Sequence, residues 1–166
     1  MKKTASIAAA FLLSSSLFAQ QQGSNGIYVG AGLGLEAMPK HVDNGMGLAL
    51  KGGVELDQVL KNFGLEAELS TSLIAPEVND HNIDVLTLGA YATYTIHMPN
   101  SAFAVRPKFG FILPNLGDDD LNSRDIAVSS GLAALYSLNS QIDLYAEYVN
   151  TSEAMNNYVV GVEINF

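Results

Sequence analysis

Residues 158–166 read YVVGVEINF, and every second side chain of this segment is large and apolar. One parity carries the apolar side chains Tyr158, Val160, Val162, Ile164 and Phe166. Successive side chains of a β-strand point to opposite faces, so the segment predicts a strand with one apolar face. A soluble domain seldom makes an exposed Phe the last residue of such a strand, and the remaining sequence has to account for Phe166.

Seven further segments alternate in the same way, and each is about nine to fifteen residues long between turn-like clusters. They lie at residues 26–36, 45–57, 63–75, 84–98, 103–113, 126–138 and 142–150. Eleven charged side chains in or next to these segments share the parity opposite to the apolar one: Glu36, Lys51, Glu55, Glu66, Glu68, Arg106, Lys108, Asp125, Asp143, Glu147 and Glu163. The pattern predicts eight amphipathic strands.

The polar face of these strands is rich in Gly, Ala and Ser, which suits a narrow barrel lumen better than a solvated sheet, where Gly only weakens a strand. Every Phe of the eight segments lies on the apolar face, mostly toward the strand ends. Phe63, Tyr94, Phe103, Tyr136 and Phe166 form one predicted level, and Phe109, Phe111, Tyr148 and Tyr158 form the other. Two aromatic levels are typical of the two interfaces of a membrane barrel, so the apolar face is predicted to point outward.

The first residues, MKKTASIAAAFLLSSSLFAQ, have the charged start, the short apolar core and the small-residue exit of a secretory signal. We predict a signal peptide at residues 1–19, a short periplasmic lead at 20–25 and a barrel domain at 26–166.

Without Lys2 and Lys3, six basic and 17 acidic residues remain, a net charge of −11, so nucleic-acid binding is not expected. The chain has no Cys, which excludes disulfides and thiolate metal sites.

The links between predicted strands alternate in length. AMPKHVDN, APEVNDHN, PNLGDDDLN and TSEAMNN lie at one end, and the shorter DQVLKN, MPNS and LNS lie at the other. Outer-membrane barrels have longer outside loops and short periplasmic turns, so the first set is predicted to be distal. The predicted fold is all-β: an eight-stranded antiparallel up-and-down transmembrane β-barrel with both termini on the periplasmic side.

With these features the chain resembles the eight-stranded outer-membrane barrels of Gram-negative bacteria, the OmpA/OmpX-like barrel domains. The resemblance covers residues 26–166. It implies a location in the outer membrane, contact with its lipid and lipopolysaccharide, and no cofactor. In that family an alternating last strand with a terminal Phe is read by the barrel-assembly machinery. The resemblance therefore implies an assembly signal in the last strand, formed by Tyr158, Val160, Val162, Ile164 and Phe166. We expect a monomer.

The inward charges are the main candidate for function: Lys51, Glu55, Glu66, Glu68, Arg106, Lys108, Glu147 and Glu163. Inside a narrow barrel these side chains must pair or be hydrated. We expect a plug of ion pairs and a structural or surface-interaction role; the alternative is a narrow cation-preferring pore. A lipid A-modifying enzyme is a third hypothesis, but His41, His81 and His97 show no spaced catalytic motif, and no catalysis is expected.

The sequence also supports predictions about a proline, an acidic cluster and three substitution sites. Pro107 lacks an N–H and predicts a bulge or an irregular wall in the fifth strand. Asp118–Asp120 could hold a divalent cation, although a solvated turn is the preferred interpretation. Arg at outward Leu88 or Val162 should cost about 2 to 4 kcal/mol near the membrane midplane, and Arg at inward Ser129 should be tolerated better, apart from crowding.

Overall fold

The computed structural model describes residues 26–37, 44–75, 77–78, 81–82, 85–116, 126–151 and 155–166, and within them it forms a closed antiparallel barrel of eight strands. The strands are β1 Ile27–Ala37, β2 Gly45–Glu55, β3 Phe63–Ile74, β4 Val85–Tyr94, β5 Phe103–Leu116, β6 Ala127–Ser137, β7 Ile142–Thr151 and β8 Met155–Asn165. Beyond Thr95, Ile96–His97 continues β4, and Glu77–Val78 pairs with His81–Asn82 between β3 and β4. The predicted fold class is confirmed. No helix in the described ranges is long and apolar enough to cross a membrane.

Pairing between β8 and β1 closes the barrel with a fixed stagger. The stagger is found by following directly paired residues from each strand to the next around the barrel. Starting at β1, these residues are Ile27, Val54, Leu65, Ala92, Phe109, Ser130, Asn150, Asn156 and finally Ala37. The path returns to β1 ten residues above its start, at residue 37 instead of 27. At about 3.3 Å per residue and about 4.8 Å per strand, this stagger tilts the strands by roughly 41°, as in other small barrels. Eight strands at this tilt enclose a lumen that side chains can fill.

The two faces of the wall have the predicted parity. Large apolar side chains point outward and are exposed, among them Leu33, Leu65, Leu132, Val160 and Val162. The inward positions are buried and largely polar, with Glu163, Lys51 and Arg106 all less than 5% exposed. This is the reverse of a soluble sheet, whose apolar face is its core, and it fits a wall surrounded by lipid.

Aromatic side chains form two outward levels, as predicted. Near the short turns, the Phe103 and Tyr136 rings lie 4.8 Å apart between centroids, and Phe63 pairs with Tyr94 across β3 and β4. Near the long links, the Tyr148 and Tyr158 rings lie 5.2 Å apart. Two such girdles position a barrel across the membrane because aromatic side chains favour its interfaces.

The wall is irregular at two places. At Pro107 the predicted bulge is wrong, because the β5–β6 register is continuous from Phe103 to Ile112. The irregularity lies on the other side of Pro107, where β4 is interrupted at Thr95 while its register with β5 is unchanged. A residue without an N–H explains a local break of this kind. The register shift of the wall occurs instead between Met46 and Gly47, opposite Leu73 of β3.

The three substitution sites differ in depth and in surroundings. Ser129 is 1% exposed, and its Oγ donates to the Asn150 carbonyl oxygen at 2.9 Å and lies 3.2 Å from the Tyr91 Oη. Ser129 thus faces the lumen, as predicted, and the comparison of Arg at this position with Arg on the outer face, which sets crowding aside, stays a prediction. Leu88 lies near the distal end of β4, whereas Val162 lies on β8 midway between Tyr158 and Phe166.

We therefore predict that Val162→Arg lowers the free energy of unfolding by about 2 to 4 kcal/mol, and that Leu88→Arg lowers it by less because it is nearer an interface. The matched control is Val162→Met, which keeps a long side chain without charge. The measurement is denaturant unfolding in phospholipid vesicles. Equal losses for Val162→Arg and Val162→Met would contradict an outward, lipid-facing position.

Candidate functional site

The barrel brings together inward charges that are far apart in the sequence. Lys51 of β2 donates to Glu147 of β7 across the lumen at 3.0 Å, although 96 positions separate the two residues. Five strands contribute to the same network of ion pairs, which comprises Lys51, Glu55, Glu66, Glu68, Arg106, Lys108, Glu147 and Glu163. All eight predicted lumen residues thus lie inside the barrel and in contact with one another. We call this set the lumen network.

Arg106 anchors the part of the lumen network that lies nearer the short turns. Its Nη1 donates to both carboxylate oxygens of Glu163, at 3.0 and 2.9 Å, and its Nε donates to the Thr95 Oγ1 at 3.0 Å. A second cation contacts the same carboxylate, since the Lys51 Nζ lies 3.3 Å from the Glu163 Oε2. Glu55 lies at the edge of this group, 3.9 Å from the Arg106 Nη2, and its side chain is the most exposed of the network at 23%. Hydrogen bonds from two different guanidinium nitrogens, Nη1 to Glu163 and Nε to Thr95, fix the direction of the guanidinium.

Lys108 anchors the second part of the lumen network. Its Nζ lies 3.0 Å from Glu66 and also contacts Glu68 and Glu147. These three carboxylates lie within 4.8 Å of one another, a spacing that could hold a metal ion. The Lys108 ammonium already contacts all three, so the protein supplies the cation and the group needs no metal.

Three inward tyrosines complete the network and were missed by the sequence analysis, which considered only the outward aromatic residues. Each ring lies against one lumen cation: Lys51 Nζ is 3.7 Å from the Tyr145 ring centroid, Arg106 Cζ is 4.2 Å from that of Tyr28 and Lys108 Nζ is 4.4 Å from that of Tyr91. The sequence offered one signal for them, because all three tyrosines have the parity of the charged side chains. Such cation–π contacts are strengthened by desolvation.

Glycine makes room for these rings. A Cβ at Gly53 would lie 2.3 Å from the Tyr28 ring, and a Cβ at Gly161 would lie 2.7 Å from the Tyr145 ring. The Tyr28 Oη also donates to Glu66 at 2.9 Å. The small residues of the polar face thus permit large side chains from neighbouring strands to fill the lumen.

The lumen network is almost fully removed from solvent. Apart from Glu55, the side chains in its ion pairs are only 0–7% exposed. Apolar side chains pack inside the barrel beside it, with Tyr91, Ile112 and Val149 forming one cluster. Charges buried in this way are tolerated only when paired and hydrogen-bonded. The arrangement can hold the five contributing strands in register and obstruct the lumen.

The remaining predicted residues lie elsewhere. The side chains of Tyr158, Val160, Val162, Ile164 and Phe166 point outward along β8, and the Phe166 N–H donates to the Ile27 carbonyl oxygen at 2.9 Å. His97 is exposed near the short turn at Pro99 and Asn100, and His81 is part of the short pair between β3 and β4. His41, Asp118–Asp120 and the predicted signal peptide lie outside the described residues, as does Asp125.

An apolar outer wall, two aromatic girdles and a charged interior define the class of the protein, a transmembrane β-barrel with a filled lumen. A family model for the outer membrane protein beta-barrel domain matches residues 5–166. The chain belongs to this family, and the resemblance drawn from the sequence is confirmed. Its membership supports a location in the outer membrane.

Solved structures of small outer-membrane barrels share the fold. Neisserial surface protein A (NspA) aligns with a TM-score of 0.55 and 16% identity, covering 87% of this chain and 100% of NspA. The N-terminal β-barrel domain of Pseudomonas aeruginosa OprF gives 0.58 and 12%, covering 87% and 100%. Yersinia pestis outer membrane protein Ail in a phospholipid nanodisc gives 0.57 and 10%, covering 86% and 99%. At these identities the likeness concerns the fold alone. A comparison with curated proteins gave no significant match.

We predict that Arg106→Met lowers the free energy of unfolding by about 3 to 5 kcal/mol, because it weakens the pairing of a Glu163 carboxylate that is wholly buried. Adding Glu163→Gln should recover part of this loss, since the charge no longer needs a partner. Denaturant unfolding of the two single variants and the double variant measures the coupling. Additive losses would show that the pair is not coupled in the folded barrel.

Proposed function

We propose that this protein is a closed outer-membrane barrel of a Gram-negative bacterium, with a structural or surface-interaction role and without transport or catalysis. The observation that carries the proposal is the lumen network, in which three cations and their carboxylate partners are buried between the strands. A conducting lumen needs ion sites that bind weakly and exchange with water. These cations instead make several short contacts each, which supports a plug over a narrow cation-preferring pore.

A plugged barrel leaves its distal links as the part that reaches outside partners. These links, at residues 38–44, 75–84, 117–126 and 152–154, contain nine acidic and two basic residues. Ail, which shares the fold, has been crystallised in complex with the heparin analogue sucrose octasulfate. The acidic links of this chain disfavour a polyanion of that kind. We infer a neutral or cationic surface partner in addition to the surrounding lipid and lipopolysaccharide.

Conductance across planar bilayers tests the closed lumen. Wild-type protein should give no discrete steps in concentrated KCl. The comparison variant is Lys108→Ala/Glu68→Ala/Glu147→Ala, which shortens three side chains of the lumen network and should admit ions where the wild type does not. Heat-modifiable gel mobility verifies that the variant is folded. Stable cation-selective steps from the wild type would establish the pore instead.

Complementation of a deletion strain distinguishes a surface role from a structural one. A barrel with the four distal links replaced by short Asn-Gly turns should insert normally but fail to restore the wild-type phenotype if the links carry the function. Full restoration would assign the function to the wall. A lipid A mass spectrum from the deletion strain tests the enzyme hypothesis, and we expect it to be unchanged.

We further propose that β8 carries the signal read by the barrel-assembly machinery, with Phe166 as its key side chain. The Phe166 ring is 59% exposed to the surroundings of the barrel, so its contacts within the protein are few. Full burial of one Phe contributes only about 1.5 to 3 kcal/mol, and partial loss of lipid contact contributes less. If Phe166 acts in assembly, its removal should strongly reduce insertion in cells while lowering the free energy of unfolding only slightly.

Phe166→Ala should reduce insertion into the outer membrane in cells, whereas the purified variant should refold in detergent to a heat-modifiable barrel. Phe103→Ala is the matched control, because Phe103 lies in the same aromatic level and is 51% exposed. Cell fractionation and the gel shift after refolding are the two measurements. If both variants inserted equally well in cells, Phe166 would be an ordinary girdle residue.

A further inference from the structure

Three polar side chains form a row on the outward face of the wall. Ser130 of β6 pairs with Asn150 of β7, and Asn150 pairs with Asn156 of β8. They have the parity of the exposed apolar residues, since they alternate along their strands with buried side chains such as Ser129 and Val149. We call Ser130, Asn150 and Asn156 the outward polar row.

The outward polar row lies below the distal border of the apolar wall. At the strand tilt of roughly 41°, each residue along a strand rises about 2.5 Å along the barrel axis, and each step to the paired residue on the next strand rises about 3.1 Å. Asn150 therefore lies about 19 Å above Ile27, close to the height of the exposed Leu88 of β4 and Val128 of β6. The exposed Ile126 lies higher still, about 26 Å above Ile27. The row thus presents polar groups at a level where the wall elsewhere faces acyl chains.

Two hydrogen bonds fix the orientation of the row. The Asn156 Oδ1 accepts from the Asn150 Nδ2 at 2.8 Å and from the Tyr148 Oη at 3.0 Å. Because its oxygen already accepts twice, Asn156 presents its amide N–H groups to a ligand. Asn150 adds an N–H and an amide oxygen, and Ser130 adds a hydroxyl. The row is therefore richer in donors than in acceptors.

Two aromatic rings lie beside the row, on the side of the short turns. Tyr148 and Tyr158 pair with each other across β7 and β8, two residues from Asn150 and Asn156, and their ring centroids are 5.2 Å apart. Both rings are exposed on the outward face. The surface has an aromatic lower part and a hydrogen-bonding upper part. Such a surface matches an amphipathic molecule at the level where its acyl chains meet its polar region.

The surroundings of the row indicate the chemistry of its partner. The exposed apolar wall continues on both sides, with Val128 on β6 and Leu35 on β1, so the surface is continuous with the face that contacts lipid. The row is uncharged, and the adjoining link 152–154 contains the acidic Glu153, so the phosphate groups of a lipid are not favoured. Its donors match instead the carbonyl oxygens of acyl linkages, which lie where the hydrocarbon ends.

We propose that the outward polar row, with Tyr148 and Tyr158 beside it, binds the acyl-linkage region of a lipopolysaccharide molecule. The ester linkages of phospholipids only accept hydrogen bonds. The amide-linked, hydroxylated chains of lipopolysaccharide also donate them, which matches the amide oxygen of Asn150. The inference rests on the proposed outer-membrane location and specifies where on the wall the barrel holds this lipid.

A lipid held at this level changes the membrane beside β7 and β8. Asn150 lies roughly 7 Å below Ile126, so acyl linkages bound to the row are drawn toward the membrane midplane. A bilayer adapts to a shorter apolar stretch by local thinning. We expect lipopolysaccharide to be enriched, and the outer leaflet to be thinner, on this side of the barrel only.

Fluorescence quenching tests the site, because the chain contains no Trp and a single introduced Trp reports on its own surroundings. Full-length Tyr158→Trp and Leu88→Trp proteins place the fluorophore at nearly the same height, beside the row and away from it. Each is refolded into vesicles of brominated phospholipid with an increasing fraction of lipopolysaccharide. Bromine quenches Trp on contact, so bound lipopolysaccharide relieves the quenching. We expect relief in Tyr158→Trp at a severalfold lower lipopolysaccharide fraction than in Leu88→Trp.

Changes to the row should abolish this difference. Adding Asn150→Leu/Asn156→Leu to Tyr158→Trp should remove the excess relief, because the hydrogen-bonding groups are lost while the apolar surface is kept. The matched control adds Thr71→Leu to Tyr158→Trp. Thr71 is an outward polar residue of β3 whose paired residues on both neighbouring strands are leucines, so the control should leave the excess relief unchanged.

The possible outcomes separate this site from the proposed function. Equal relief in Tyr158→Trp and Leu88→Trp, with both proteins inserted, would overturn the lipid site and leave the proposed function in place. Relief in phospholipid alone that rises with the protein-to-lipid ratio would place a second copy of the chain at the row and would also overturn the lipid site. Failure of the wild type to form a heat-modifiable barrel in either kind of vesicle would contradict the proposed function and, with it, the site.

Discussion

The structure depends on the requirement that every backbone N–H and C=O group be paired where the wall faces lipid. An open sheet would leave two edges unsatisfied, so β8 must meet β1. Closure with eight strands and a stagger of ten residues fixes a narrow lumen. That lumen must be filled, because a void loses packing contacts on every side. The inward charges, tyrosines and glycines are the means by which this sequence fills it.

The lumen network is stable only as a unit. Glu163 depends on both Arg106 and Lys51, and Lys108 serves three carboxylates, so each cation balances charges contributed by several strands. Removing one partner leaves an unpaired buried charge. The free-energy cost of that unpaired charge exceeds the net stabilisation that the intact pair contributes. The same connections oppose a slip of one strand against its neighbour, because a one-residue shift would turn the charges into lipid. The network therefore favours the native register of the strands that contribute to it.

The functional consequences follow from the division of the barrel into wall, lumen and distal end. The charges in the described part of the lumen pair with one another, so few groups are left to bind substrates or permeant ions. The distal links are therefore the part of the chain best placed to contact other molecules. Near the base of these links, Glu36 accepts a hydrogen bond from Ser72, and Asn157 lies opposite Glu36 in the pairing of β1 with β8.

The sequence by itself determined the fold, because a side-chain period of two is a local property: charges such as Glu66 and Glu163 and the apolar Val160 and Val162 identify the two faces without knowledge of their neighbours. It also determined which charges point inward. It did not determine which of them touch, since the Lys51–Glu147 contact depends on the stagger of the closed barrel. Two other features also depend on contacts between neighbouring strands. They are the packing of the Tyr28 ring against Gly53 and the break in β4 beside Pro107. Tertiary structure alone decided these features, because they are set by the registers and the tilt of strands that are distant in the chain.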